Sequence, residues 1–275
     1  MRAFLTSQGT NLGAILGSNF VQCSLMELII MNFYKPVLAL IVASFVLAHS
    51  VVHAEPIYHE ISYPEGNGPF PVVIVLHTSG GFRTVKTQIS KYTNAGYAVY
   101  APDFFRRHGI SKSNRFETWT TYRTAIAAEL LELINAIKKN PKADAKNIFA
   151  VGFSNGGYWA SFLAARKYVN AGASHYGVWS WPPSAGWKGY PADYFDSDSN
   201  PVLAIHGDND SVQKPRFVYD QLDIVQGKSS KFKKHIFSDA GHSWDCQPCR
   251  KDGYDEESTR QALKMTLELF EENKR

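Results

Sequence analysis

Residues 148 to 156 read Ile-Phe-Ala-Val-Gly-Phe-Ser-Asn-Gly, an apolar run that meets a Gly-x-Ser-x-Gly pentapeptide just where a helical pattern begins. The run suits a buried strand. A serine between that strand and a helix requires a turn so tight that small residues are needed two positions to either side, here Gly152 and Gly156. Such a turn leaves the Ser154 hydroxyl exposed above a sheet, with the positive end of a helix aimed at the same place. Strands are expected near 57–63, 71–77, 97–101, 147–152, 172–176, 201–206 and 232–237. The clearest helical patterns run near 117–139, 155–168, 214–226 and 256–272, and Asn140-Pro141 supplies a stop signal for the first. This alternation predicts an α/β fold, a mostly parallel central sheet flanked by helices on both faces.

A serine hydroxyl is a weak nucleophile near neutral pH. It needs an imidazole to take its proton, and the imidazole needs a carboxylate to hold its tautomer and stabilise its charge. Two downstream segments offer these groups, each just after an expected strand. The first is Pro201 to Asp210, which ends His-Gly-Asp-Asn-Asp, and the second is Ser238 to Trp244, which contains Ala240-Gly241-His242-Ser243. Asp208 and Asp210 compete for the acid, with Asp210 favoured because it lies farther past the strand-end glycine. His242 is the expected base. His206 and His77 also end strands and are read as structural. The chain order serine, aspartate, histidine is that of the α/β-hydrolase fold.

A fourth element lies upstream, where Phe70 to Leu76 runs into His77-Thr78-Ser79-Gly80-Gly81. Attack on a carbonyl puts negative charge on its oxygen, and each preorganised amide donor can stabilise that charge by roughly 3 kcal/mol. The backbone amides of Ser79 and Asn155 are the candidates. A plain glycine turn after a buried strand is the competing reading.

With these pieces in view, the chain resembles the dienelactone hydrolase family of the α/β-hydrolases, in a variant with a serine nucleophile. The likeness rests on the loop after Leu76, the run from Ala95 to Phe105 with its Ala-Pro-Asp, the Ser154 elbow, the acid strand and Ala240-Gly241-His242-Ser243. It implies a hydrolase of small-molecule esters or lactones that uses no metal and no organic cofactor. Three positions depart from the family pattern. Ser154 stands where the dienelactone enzymes carry cysteine, and Thr78 where their oxyanion loop has a glutamate. Of the two arginines that hold the substrate carboxylate, Arg107 or Arg106 matches the first, and the second is missing near Cys246. A serine esterase is therefore expected rather than an enzyme for dienelactone itself.

The loop beyond residue 176 holds Trp179, Trp181 and further aromatics that could wall a substrate pocket or cover the end of the core. Arg107 could clamp a substrate carboxylate or be a solvated loop cation. From Met31 the chain carries Lys35, an uncharged apolar stretch from Pro36 to Val52, and His53-Ala54. These features resemble a secretory signal peptide cleaved after Ala54. Translation is expected to start at Met31, with residues 1–54 forming an extension plus signal and 55–275 a single domain. An uncleaved anchor is the alternative, disfavoured by the interruption at His49 and Ser50. Export to a periplasmic or extracellular space would let Cys246 and Cys249 pair beside the His242 loop. A net charge of +4 over 275 residues gives no case for nucleic acid. Other readings are a peptidase or amidase of the same fold, a noncatalytic binding protein, and an exported thiol exchanger using Cys246 and Cys249.

Overall fold

A computed structural model of the protein describes residues 56–181, 189–246 and 253–275. The expected signal segment, Cys249 and part of the loop after Trp181 lie outside the described residues. Seven strands form one sheet: β1 (His59–Ser62), β2 (Phe70–Leu76), β3 (Ala98–Pro102), β4 (Ala143–Phe153), β5 (Gly172–His175), β6 (Val202–Gly207) and β7 (Phe232–Phe237). Their order is β1-β3-β2-β4-β5-β6-β7, with β1 antiparallel to β3 and every other pairing parallel. The helices are α1 (Lys86–Asn94), α2 (Arg123–Lys139), α3 (Asn155–Ala165), α4 (Pro215–Lys228) and α5 (Glu256–Glu272).

Alternation along the central strands sends side chains to two separate cores. Val72, Ile74 and Leu76 of β2 join Ile148 and Ala150 of β4 on one face, beneath α2, α3 and α4. Val73, Val75, Phe149, Val151 and Phe153 face the other way, toward α1 and α5. Both faces are dry, so β2 and β4 read as continuous apolar runs. Each large buried side chain contributes roughly 1.5–3 kcal/mol.

Two elements differ from the sequence expectation. The helix expected over 117–139 begins only at Arg123 and is preceded by a single 3-10 turn, Arg115–Thr118. Tertiary contacts fix that turn: the Thr118 hydroxyl accepts from the Trp159 indole at 3.2 Å, and Trp119 packs on Tyr158. Helix α1 was not among the clearest patterns because it buries only Gln88 and Tyr92, too narrow a stripe for periodicity to register.

Successive strands are added outward on one side from β2 to β3 and on the other from β4 to β5, and the carboxyl ends of parallel strands at such a switch point form a natural crevice. The Leu76↔Gly152 register sets the end of β2 beside the end of β4. Loops after β2, β4, β6 and β7 all open there.

Candidate active site

Ser154 occupies the turn between β4 and α3 with φ 51° and ψ −109°, a conformation L-residues rarely adopt. The two flanking glycines make this possible. A Cβ at Gly152 would sit 1.9 Å from the Gly156 carbonyl oxygen, and one at Gly156 would sit 2.1 Å from the Leu76 carbonyl oxygen. The Ser154 amide donates to the His175 carbonyl of β5 at 3.0 Å, which anchors the turn to the neighbouring strand.

His242 reaches this turn from the loop after β7. Its Nε2 lies 2.9 Å from Ser154 Oγ, and its Nδ1 lies 2.7 Å from Asp210 Oδ2. Asp210 Oδ1 accepts the amides of Val212 and Gln213, each at 2.8 Å. Burial by itself raises the Asp210 pKa. The His242 hydrogen bond and charge, the charge of His206 and the Gln213 amide outweigh it and hold the carboxyl below its ordinary value. Asp208, the competing acid, is exposed and accepts the Asp239 amide instead.

His206 and His77 both have structural partners, as expected. His206 Nε2 lies 2.8 Å from the Gln213 carbonyl and 3.5 Å from Asp210 Oδ2. Burial pushes the His206 imidazole down, against the upward pull of Asp210 and the Gln213 carbonyl. His77 Nδ1 bonds the Thr78 carbonyl at 2.8 Å while its ring stacks on Phe104.

The loop after β2 is knitted by its own hydrogen bonds. The Gly80 amide donates to Thr78 Oγ1, the Gly81 amide to the Thr78 carbonyl, and Thr78 Oγ1 to Thr84 Oγ1. Among the described residues the amides of Ser79 and Asn155 have no acceptor. The Asn155 side chain links the two positions through a 3.4 Å contact to Ser79 Oγ. Thr78 thus serves as a brace for the loop.

A second buried network backs the His242 loop and was not anticipated. Tyr176 packs its ring edge-on against His242, with centroids 5.0 Å apart, and donates its hydroxyl to Asp245. Asp245 also lies 3.3 Å from His175 Nδ1, and His175 Nε2 lies 2.9 Å from Thr266 of α5. Burial, then the charge of Asp245 and the hydrogen bond to it, push the Tyr176 phenol far above its ordinary value, so it remains a donor. The joint occurrence of Asp245 and Tyr176 leaves no mark in the spacing of the chain.

Ser154, His242 and Ser79 open onto a cleft of about 500 Å³, whose wall also holds Arg83, Lys112 and Arg115. Three other expectations end elsewhere. Arg107 donates to Glu129 at 3.0 Å and does not line this cleft, because a buried carboxylate on α2 holds it. Trp179 is buried against Phe195 and Phe232, a core position. Trp181 stacks on Tyr190 and borders a smaller cavity of about 230 Å³ beside α4, which shares Val212 with the first cleft. Among the described residues no group of three or more His, Cys, Asp or Glu could hold a metal ion, and no helix is long and apolar enough to cross a membrane.

A mostly parallel sheet with a strained serine at the end of its central strand, and an acid and a histidine after later strands, defines an α/β-hydrolase. Within that class the chain belongs to the Dienelactone hydrolase family, whose profile matches residues 59–274, and with it to hydrolases of the ester and lactone type. A provisionally named carboxymethylenebutenolidase of Salmonella typhimurium is 23% identical over 214 residues, covering 74% of this chain and 78% of that protein. A provisionally named dienelactone hydrolase from Klebsiella pneumoniae shares the fold with a TM-score of 0.66, at 21% identity over 80% of this chain and 94% of that one. A Thermogutta terrifontis esterase, solved with butyrate bound, does so with a TM-score of 0.61, at 17% identity over 78% of this chain and 88% of that one.

Proposed function

We propose that this protein is a serine hydrolase that cleaves a carboxylic ester or lactone through an acyl-enzyme on Ser154. The observation that carries the reading is the continuous contact from Ser154 Oγ to His242 Nε2 at 2.9 Å and from His242 Nδ1 to Asp210 Oδ2 at 2.7 Å, at the floor of an open cleft. His242 takes the Ser154 proton as the oxygen attacks the carbonyl carbon. The amides of Ser79 and Asn155 receive the oxyanion, and the new imidazolium is stabilised by Asp210. His242 then returns the proton to the leaving alkoxide. A water activated by the same imidazole cleaves the acyl-enzyme, releasing the acid and restoring Ser154.

Two observations support esters over the other readings. Structural neighbours of this fold are esterases, among them the Thermogutta terrifontis enzyme solved with butyrate or propionate bound. Cys246 is 2% exposed, a poor position for a thiol that must exchange with partners. Export with cleavage after Ala54, and a Cys246–Cys249 clip beside the His242 loop, complete the proposal.

The test is labelling with a fluorophosphonate probe together with turnover of p-nitrophenyl esters of graded chain length, beside Ser154→Ala. Both signals are expected to vanish in the variant. Persistent turnover in Ser154→Ala would overturn the assignment, and faster cleavage of matched amides than esters would turn it toward a peptidase. The N-terminal mass of protein recovered from the periplasm or medium tests the cleavage site.

A further inference from the structure

The cleft that holds Ser154 is lined by three cations, Arg83, Lys112 and Arg115, and by no carboxylate among the described residues. Arg83 opens from the 3-10 turn Phe82–Val85, just past the Ser79 loop, while Lys112 and Arg115 come from the segment between β3 and α2. None of the three forms an ion pair with an aspartate or glutamate among the described residues. Elsewhere cations find such partners: Arg107 sits on Glu129, Lys233 on Glu272 and Lys234 on Asp223. Arg115 is held in place by other means. Its Nη1 donates to the Lys112 carbonyl at 2.8 Å and its guanidinium lies 4.4 Å over the Phe116 ring, which leaves most of its N–H donors unspent.

Like charges gathered on one concave wall repel each other; solvent screens part of that repulsion, and an entering anion relieves more of it. A concave wall carrying one sign of charge also focuses the field and raises the local concentration of anions. A single carboxylate would compensate one of three charges. We infer that this cleft selects an ester or lactone carrying more than one negative charge, a dicarboxylate or a phosphate-type group, held by Arg83, Lys112 and Arg115 while Ser154 attacks the carbonyl. The inference rests on the serine-hydrolase reading. It does not use the arginine positions that the family resemblance suggests, since Arg107 is taken by Glu129 and no arginine stands at Cys246. Guanidinium groups bind planar oxyanions through paired N–H bonds, and the lysine adds a point charge.

The experiment is a charge ladder on the full chain at pH 8 and low salt. Its rungs are 4-nitrophenyl butyrate, mono-4-nitrophenyl glutarate, the 4-nitrophenyl ester of tricarballylic acid, and 4-nitrophenyl 4-phosphonobutyrate. Relative to the neutral ester, kcat/KM is expected to rise about tenfold with the first negative charge and several-fold more with the second, chiefly through KM. The last two substrates separate a dicarboxylate from a phosphonate as the better fit. The ratio of dianionic to neutral turnover is expected to fall at least about tenfold in the Arg83→Gln, Lys112→Gln, Arg115→Gln triple variant. It should also shrink as sodium chloride is raised from 0.05 to 0.5 M.

Equal turnover of mono- and dianionic esters, or a ratio untouched by the triple variant, would overturn the inference while Ser154-dependent hydrolysis of the neutral ester left the hydrolase reading standing. Calorimetric binding of the matching methyl esters to Ser154→Ala reads the same ladder without turnover. If the wild type hydrolyses nothing, this arm alone decides: tighter binding with each charge supports the anion site, and equal Kd values sink it.

Discussion

On the floor of the cleft, His242 and Asp210 are buried and held by partners in the loops after β4, β5 and β6, whereas on its rim Arg83 and Lys112 are exposed and carry no ion pair among the described residues. The difference follows from what each region is asked to do. Proton transfer needs atoms fixed to a few tenths of an ångström before substrate arrives, so Asp210 is tied to two backbone amides and the His242 loop is backed by Tyr176 and Asp245. Attraction of a charged substrate works at longer range and tolerates side-chain freedom. Loss of a floor residue should therefore strike kcat, and loss of a rim residue should strike KM.

The sharpest way to break this contrast is Ser154→Ala, for which a fall in kcat of about 10⁴-fold or more is expected with the thermal melt retained. A residual rate above about one hundredth of wild type would show that the floor is not the reaction centre. Next is Asp210→Asn, expected to lower kcat about 10³–10⁴-fold, because an amide cannot hold His242 in the required tautomer. Asp245→Asn should cost less, about 10–100-fold in kcat with KM nearly constant, since it frees the His242 loop without removing a reacting group. A KM effect larger than the kcat effect would place Asp245 with the rim instead. The single rim variants Arg83→Gln and Arg115→Gln come last, with stability changed by no more than about 0.5 kcal/mol as judged by denaturant midpoint.

Acid stability sharpens the comparison from the floor side. Burial holds the His206 imidazole below its ordinary value, so below about pH 6.5 the unfolded chain takes up a proton that the folded protein refuses. Stability contributed there is present above that pH and lost as pH falls toward the folded value. Asp210 repeats the pattern lower down, its contribution present above about pH 4 and lost as pH drops through its depressed folded pKa. Urea midpoints measured from pH 8 to pH 3 should fall in two steps. Asp210→Asn should shrink the lower step, to which Asp103, Asp255 and Glu271 also contribute, and keep the upper one, because without the carboxylate His206 resists protonation more strongly.

Much of the floor was legible in the chain because its geometry is bound to local rules. The glycines at 152 and 156 follow from sterics, and Ser154, Asp210 and His242 each fall where a strand ends. The place of Asp210 past the strand-end glycine already favours it over Asp208, and the fold adds the 2.7 Å contact to His242. Arg107 misled because α2 brings Glu129 to it, a contact 22 residues away in sequence. Trp179 and Trp181 misled because aromatic residues near a site look alike whether they face substrate or core. The rim left no such mark: Arg83, Lys112 and Arg115 come from two loops, and nothing local separates them from Arg106 and Arg107, which do not line the cleft.

The positive φ at Ser154 has a consequence for how far this protein can be stabilised. A non-glycine residue held there costs of order 1–3 kcal/mol, a cost the fold bears for as long as it keeps a side chain at that position. Ser154→Gly should consequently melt above Ser154→Ala, though both lack the hydroxyl. Selection for thermal hardiness alone would thus favour glycine at 154, and a side chain kept there at that cost is one that something other than stability retains.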